Sequence, residues 1–149
     1  MAANTKGDTF ENDLLKLIFN NTAITTIGDA GGLLPSASAG SLFVSLHTSD
    51  PGETGTQTTN EISYTGYARV AVARSAGGWT ITANSVSPTA AITFGQMTAG
   101  AGGTVTHAGI GAATSGTGKL MYMGTVTPNI AVANGVTPSL TTASTVVED

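Results

Sequence analysis

Cysteine is absent from this chain of 149 residues, which excludes disulfide staples, thiolate nucleophiles and cysteine-type zinc clusters, and leaves the redox compartment open. Charge is scarce: Asp, Glu, Lys and Arg make up 9%, against a typical share of about 25%. The basic residues Lys6, Lys16, Arg69, Arg74 and Lys119 are scattered and form no patch, and the net charge is −4. An acidic chain gains nothing from counterion release at phosphates, so no nucleic acid partner is expected. Long apolar runs are missing as well. The longest cluster, Leu14-Leu15-Lys16-Leu17-Ile18-Phe19, is far too short to span a bilayer, and no basic segment followed by an apolar one marks a secretion signal. A soluble chain with no membrane partner is the expectation.

Small uncharged residues fill the space. Threonine is the commonest residue, followed by alanine and 20 glycines. A threonine hydroxyl costs about 1–3 kcal/mol to bury unpaired and close to nothing when bonded, so such a surface desolvates cheaply and suits packing against other proteins. The length fits one domain over 1–149.

Only the beginning reads as helix. Phe10, Leu14, Leu17 and Ile18 recur at helical spacing, and Asp8 with Glu11 resembles a capping box, which predicts a helix over 9–20 ended by Asn20-Asn21-Thr22. Residues 24–40 carry Gly, Pro and Ser signals and read as a long loop whose Leu33-Leu34-Pro35 island is expected to cover the core, the alternative being that it docks on a neighbouring subunit. From 41 onward the period is two. Leu42, Val44 and Leu46 alternate with polar residues before an Asp50-Pro51-Gly52 turn. Further strands are expected over 64–74, after a Gly77-Gly78 hairpin turn, around Ile92 and Phe94, over 104–110 and 119–127, and in short pieces near 130–132, 136–140 and 145–147. Seven to nine short strands predict a mainly β fold over 41–149, an antiparallel β-sandwich of jelly-roll type, with one N-terminal helix.

Candidates for chemistry are few. His47 and His107 could join Asp50 and Glu53 as metal ligands of a hydrolase, but each histidine is better read as a strand residue bonding a nearby carbonyl or hydroxyl. Gly116-Thr117-Gly118-Lys119 lacks the first glycine and the magnesium hydroxyl of a phosphate loop, and Gly109-Ile110-Gly111-Ala112-Ala113-Thr114 lacks the third glycine of a dinucleotide fingerprint. No serine stands in a nucleophile elbow, and no acidic pair suggests glycoside hydrolysis. No catalytic, cofactor-binding or metal residue is therefore assigned, no cofactor is expected, and the chain is not expected to be an enzyme. Tyr64, Tyr67, Trp79 and Tyr122 could form a glycan-stacking platform, although in so small-residue-rich a chain such rings are expected to fill the core.

Several segments together resemble a known family: Leu14 to Ala23, the strand and turn from Leu42 to Gly52, Tyr64-Thr65-Gly66-Tyr67-Ala68-Arg69, Thr104 to Ile110 and the closing Val146-Val147-Glu148-Asp149. In that order they are similar to small tailed-bacteriophage virion proteins, commonly labelled tail fibre proteins and close in size to capsid decoration, or cement, proteins. The resemblance covers nearly the whole chain. It implies a virion structural protein that decorates and stabilises the capsid from its outer surface, made in the host cytoplasm. Its partners would be the phage major capsid protein and further copies of the chain in a homo-oligomer, a dimer or trimer. The alternative is a tail-tip or tail-fibre module that binds a host receptor. Residues 75–118 contain no Asp, Glu, Lys or Arg, so this region is expected to supply much of the subunit or capsid contact while the acidic loop over 50–61 faces solvent.

Overall fold

A computed structural model describes residues 6–28 and 31–148. Asp29 and Ala30, within the loop expected over 24–40, and Asp149, at the end of the family-like closing segment, lie outside the described residues. The elements are α1 (Asp8–Asn20), β1 (Ser41–His47), β2 (Val70–Ala73), β3 (Trp79–Thr82), β4 (Ser85–Pro88), β5 (Ile92–Thr93), β6 (Gly103–Gly111), β7 (Leu120–Val132), β8 (Ser139–Leu140) and β9 (Val146–Val147). The fold is mainly β, with antiparallel sheets and one N-terminal helix. The sheets have the orders β2-β1-β6-β7, β3-β4-β9 and β5-β8. A jelly roll has two four-stranded sheets; among the described residues one sheet has four strands. No helix among the described residues is long and apolar enough to cross a membrane.

The chain packs as two compact units, each discontinuous in sequence. The first contains Met1–Gly40, Ala73–Ala90 and Thr141–Asp149, and the second Ser41–Val72 and Ala91–Leu140.

In the first unit α1 starts one residue before the expected position. Gly7 is its N-cap and makes no side-chain cap bond; Asp8 stands inside the helix, so the expected capping box does not form and the acidic first turn acts on the helix dipole instead. The buried stripe is Glu11, Leu15 and Phe19, not the expected Phe10, Leu14, Leu17 and Ile18. Spacing four apart keeps both stripes helical. What selects the first is Trp79, whose ring meets Phe19 edge-on at 4.9 Å; Phe10 is left exposed. Asn21, in the left-handed conformation at φ 53°, ends the helix, and Thr22 N donates to Lys16 O at 3.1 Å. The last turn contains no basic residue. Arg74 supplies that charge from elsewhere in the chain: its Nε donates to Ile18 O at 2.6 Å and its Nη2 to Leu17 O at 2.7 Å.

The loop that follows is tied down by Asn21, whose side chain donates to Ser36 O and accepts from Ser36 N. Leu33 and Leu34 do not cover the core as expected; they are 42% and 72% exposed. Leu33 spends its backbone groups on a bridge with Ile24, and the side chains of Leu34, Pro35 and Ser36 are exposed.

In the second unit β1 pairs with β6 and β6 with β7. Leu42, Val44 and Leu46 are buried as the period of two predicts, with Ile62, Val105, Ile110 and Val132. The expected strand over 64–74 shrinks to β2, because Gly66 at φ +105° and a Tyr67 N to Tyr64 O bond of 3.1 Å turn the chain before it. Gly77-Gly78 is a turn but not a hairpin, since β2 and β3 belong to different sheets. The pieces expected over 119–127 and 130–132 merge into β7, which carries three extra residues between its Thr125 and Ile130 pairings with β6.

Candidate functional site

The densest polar cluster lies in the second unit, where residues 57–69 meet the end of β6 and the connection over 112–118. Arg69 and Glu61 form a two-pronged ion pair: Nε to Oε1 and Nη2 to Oε2, both 2.7 Å. The Arg69 side chain is 2% exposed and that of Glu61 14%. Arg69 also donates from Nη1 to Ala113 O at 2.9 Å and from Nη2 to Gly116 O at 2.8 Å, so four of its five N–H groups are engaged. Bonding to Glu61 holds the guanidinium even more firmly protonated than usual.

Tyr67 extends the network. Its hydroxyl donates to Glu61 Oε1 at 2.8 Å and accepts from Leu46 N at 3.1 Å, and burial pushes its ionisation far above the ordinary tyrosine range. Gln57, fully buried, plugs the other side of the 112–118 connection. Its Oε1 accepts from Ala113 N at 2.9 Å, its Nε2 donates to Phe43 O at 3.2 Å and its backbone N donates to Gly118 O at 3.0 Å. Gly111 and Gly118 leave the room, since a Cβ at either would strike the Gln57 side chain. Thr114, Ser115 and Thr117 remain exposed. A hydroxyl-bearing loop is thus displayed on a fixed backbone.

Ser45 and His47 have the outline of a nucleophile and base. Ser45 Oγ lies 2.9 Å from His47 Nε2, and His47 Nδ1 donates to Thr59 O at 2.8 Å. A carbonyl can only accept, so Nδ1 holds the proton and Nε2 accepts from the serine. Both side chains are fully buried, with Gly109 against them. No substrate atom can reach this pair, and burial lowers the His47 pKa, partly opposed by the Thr59 bond and by Glu61. It is a satisfied polar pair within the sheet.

The other candidates fall into place around this. His107 faces His47 across β1 and β6, with its Nδ1 2.9 Å from Thr106 Oγ1. Each histidine therefore bonds a neighbouring carbonyl or hydroxyl as expected. The proposed metal set does not come together: both ring nitrogens of His47 are engaged, Asp50 Oδ1 accepts from Gly52 N at 2.8 Å, and no group of three potential ligands occurs among the described residues. Lys119 leads into a strand rather than a helix, and Gly109 to Thr114 runs off the end of β6. Tyr64 and Trp79 fill the interior as expected, and the four rings do not form an exposed platform. Tyr64 is buried and donates to Gly95 O at 2.9 Å, Tyr67 stacks on Phe94, Trp79 belongs to the first unit with Phe19, and Tyr122 is half-buried. Asp50 and Glu53 are exposed as expected, whereas Glu61 is turned inward onto Arg69. Arg69 and Gln57 were missed by sequence reasoning; the signal present was an arginine eight residues from a glutamate in a chain nearly devoid of charge.

The polar groups of this cluster are spent on one another and on the backbone over 112–118. The family model for podophage GP4 fiber I protein gp80 matches residues 6–148. The chain belongs to that family. It is a phage fibre protein, a structural component of the virion. A fibre family is structural, which implies a non-enzymatic role. No curated protein matches the chain.

Proposed function

We propose that the chain is a module of the phage tail fibre that packs against copies of itself and holds a rigid, hydroxyl-rich loop toward the host receptor. The observation that carries this reading is the fibre-family match over residues 6–148. It supports a fibre rather than decoration of the outer capsid surface with the major capsid protein as partner. The structure supports the packing role through its neutral surface. Thr80, Thr82, Thr93, Thr98 and Thr104 are exposed within the uncharged run over 75–118, and hydroxyls can be buried without stranding charge. It supports the display role through Arg69 and Gln57, which fix the 112–118 backbone from beneath and so reduce the ordering cost of binding.

Gold-labelled antibody on intact virions, with the copy number read from a gel, tests the proposal. Label on the fibres, and copies at a small fraction of the major shell protein, are expected. Label spread over the head at near-shell abundance would overturn it.

A further inference from the structure

We propose that the loop over 112–119 is an anion-binding site that takes the carboxylate or phosphate group of an acidic saccharide. This inference rests on the reading of that loop as the receptor-facing part of the chain and names the ligand chemistry it fits.

The loop has its acceptors spent and its donors free. Ala113 O and Gly116 O are held from beneath by Arg69, Gly118 O accepts from Gln57 N, and Lys119 O accepts from Ala112 N at 3.1 Å. The N–H groups of Thr114, Ser115, Gly116 and Thr117 bond to no described residue, and all four residues are exposed. Gly116, at φ +67°, supplies the left-handed residue around which successive N–H groups can converge on one anion. The hydroxyls of Thr114, Ser115 and Thr117 add donors that also accept, as sugar hydroxyls require.

Lys119 sets the sign of the ligand. It is the one charged residue between Arg74 and Glu148, it is exposed, and its ammonium group makes no ion pair or hydrogen bond among the described residues. No carboxylate of the same unit neutralises it: Glu61 is spent on Arg69, and Asp50 Oδ1 accepts from Gly52 N. Free N–H donors beside an unpaired ammonium lack an acceptor, and a charged acceptor makes the shorter and stronger bonds. Stacking is not on offer as a substitute. Tyr64 is buried and Tyr67 is spent on Glu61, Leu46 and Phe94, so neither gives a neutral sugar a flat face, and charge must anchor the ligand.

Calorimetric titration of the full chain with a galacturonate oligosaccharide, its neutral methyl ester and glucose 1-phosphate tests this, alongside Lys119→Gln and Ser115→Asp. Circular dichroism checks that both variants fold. The full chain should bind at least one of the two anions at millimolar concentration and the ester at least about tenfold more weakly, with affinity falling as salt rises. Each variant should weaken anion binding by a similar factor, and which anion binds assigns the source as carboxylate or phosphate. Acid and ester binding alike, neither anion binding, or folded variants that bind as the parent does would overturn the proposal. Virion labelling separates the two readings: no anion binding by a chain found on fibres sinks only this site, whereas anion binding by a chain spread over the head sinks the fibre reading.

Discussion

Replacing Arg69 with alanine is the sharpest perturbation available. The Glu61 carboxylate would keep one donor, the Tyr67 hydroxyl, and lose both guanidinium bonds; Ala113 O and Gly116 O would each lose theirs. The pair is buried, with 2% and 14% side-chain exposure, so the cost belongs to the class in which one partner of a buried pair is removed, about 3–5 kcal/mol. For a chain of this size that lowers the melting temperature by roughly 6–20 °C. Urea unfolding measures it directly. The double variant Arg69→Met, Glu61→Leu should recover part of the loss, because an apolar pair has no uncompensated charge, while the Tyr67 hydroxyl stays without its acceptor and Ala113 O and Gly116 O without their donors, about 1 kcal/mol each. A cost under about 1 kcal/mol for Arg69→Ala, the value of an exposed pair, would refute the reasoning. So would a double variant no more stable than the single.

Three further outcomes are expected. His47 has its pKa lowered below the free value of 6.5 by burial, so the unfolded chain binds the extra proton first and stability falls as pH drops through and below that value; denaturation at a series of pH values should show this slope, and His47→Asn should flatten it. Arg74→Ala should cost about 2 kcal/mol by removing charged bonds to the Leu17 and Ile18 carbonyls, read as a lower urea midpoint with an unchanged slope. Gly118→Ala should cost about 1–3 kcal/mol, because its Cβ would meet both Gln57 and Ala113; faster proteolysis within 112–118 would be the local sign.

Period and punctuation made much of this fold legible. β1 came through because Leu42, Val44 and Leu46 alternate with polar residues, β6 because glycine-rich breaks bound it, and α1 because acidic residues precede a helical apolar pattern. The buried stripe of α1 was not legible, since Phe19 is chosen by Trp79, sixty residues away in the chain. The segment over 64–69 looks like a strand by composition, yet Tyr67 and Arg69 are drawn to Glu61, and Gly66 permits the turn that brings them there. The division into two units depends on which distant segments pair, and no local pattern encodes that. The histidines were legible as strand residues. The ion pair was not read, because the rarity of charge hints at a pairing between Arg69 and Glu61 but a separation of eight residues outside a helix does not say that they meet.

The order in which the first unit's parts emerge during synthesis has its own consequence. α1 is made early, but its C-terminal carbonyls wait for Arg74, and β4 waits for β9, whose Val146 and Val147 pair with Val86 and Ser85. Asn84 and Glu148 then exchange bonds beside that strand. A nascent or prematurely stopped chain therefore holds an unfinished first unit with β4 open along one side. The β3-β4-β9 sheet can therefore be completed only after residue 147 has been synthesised.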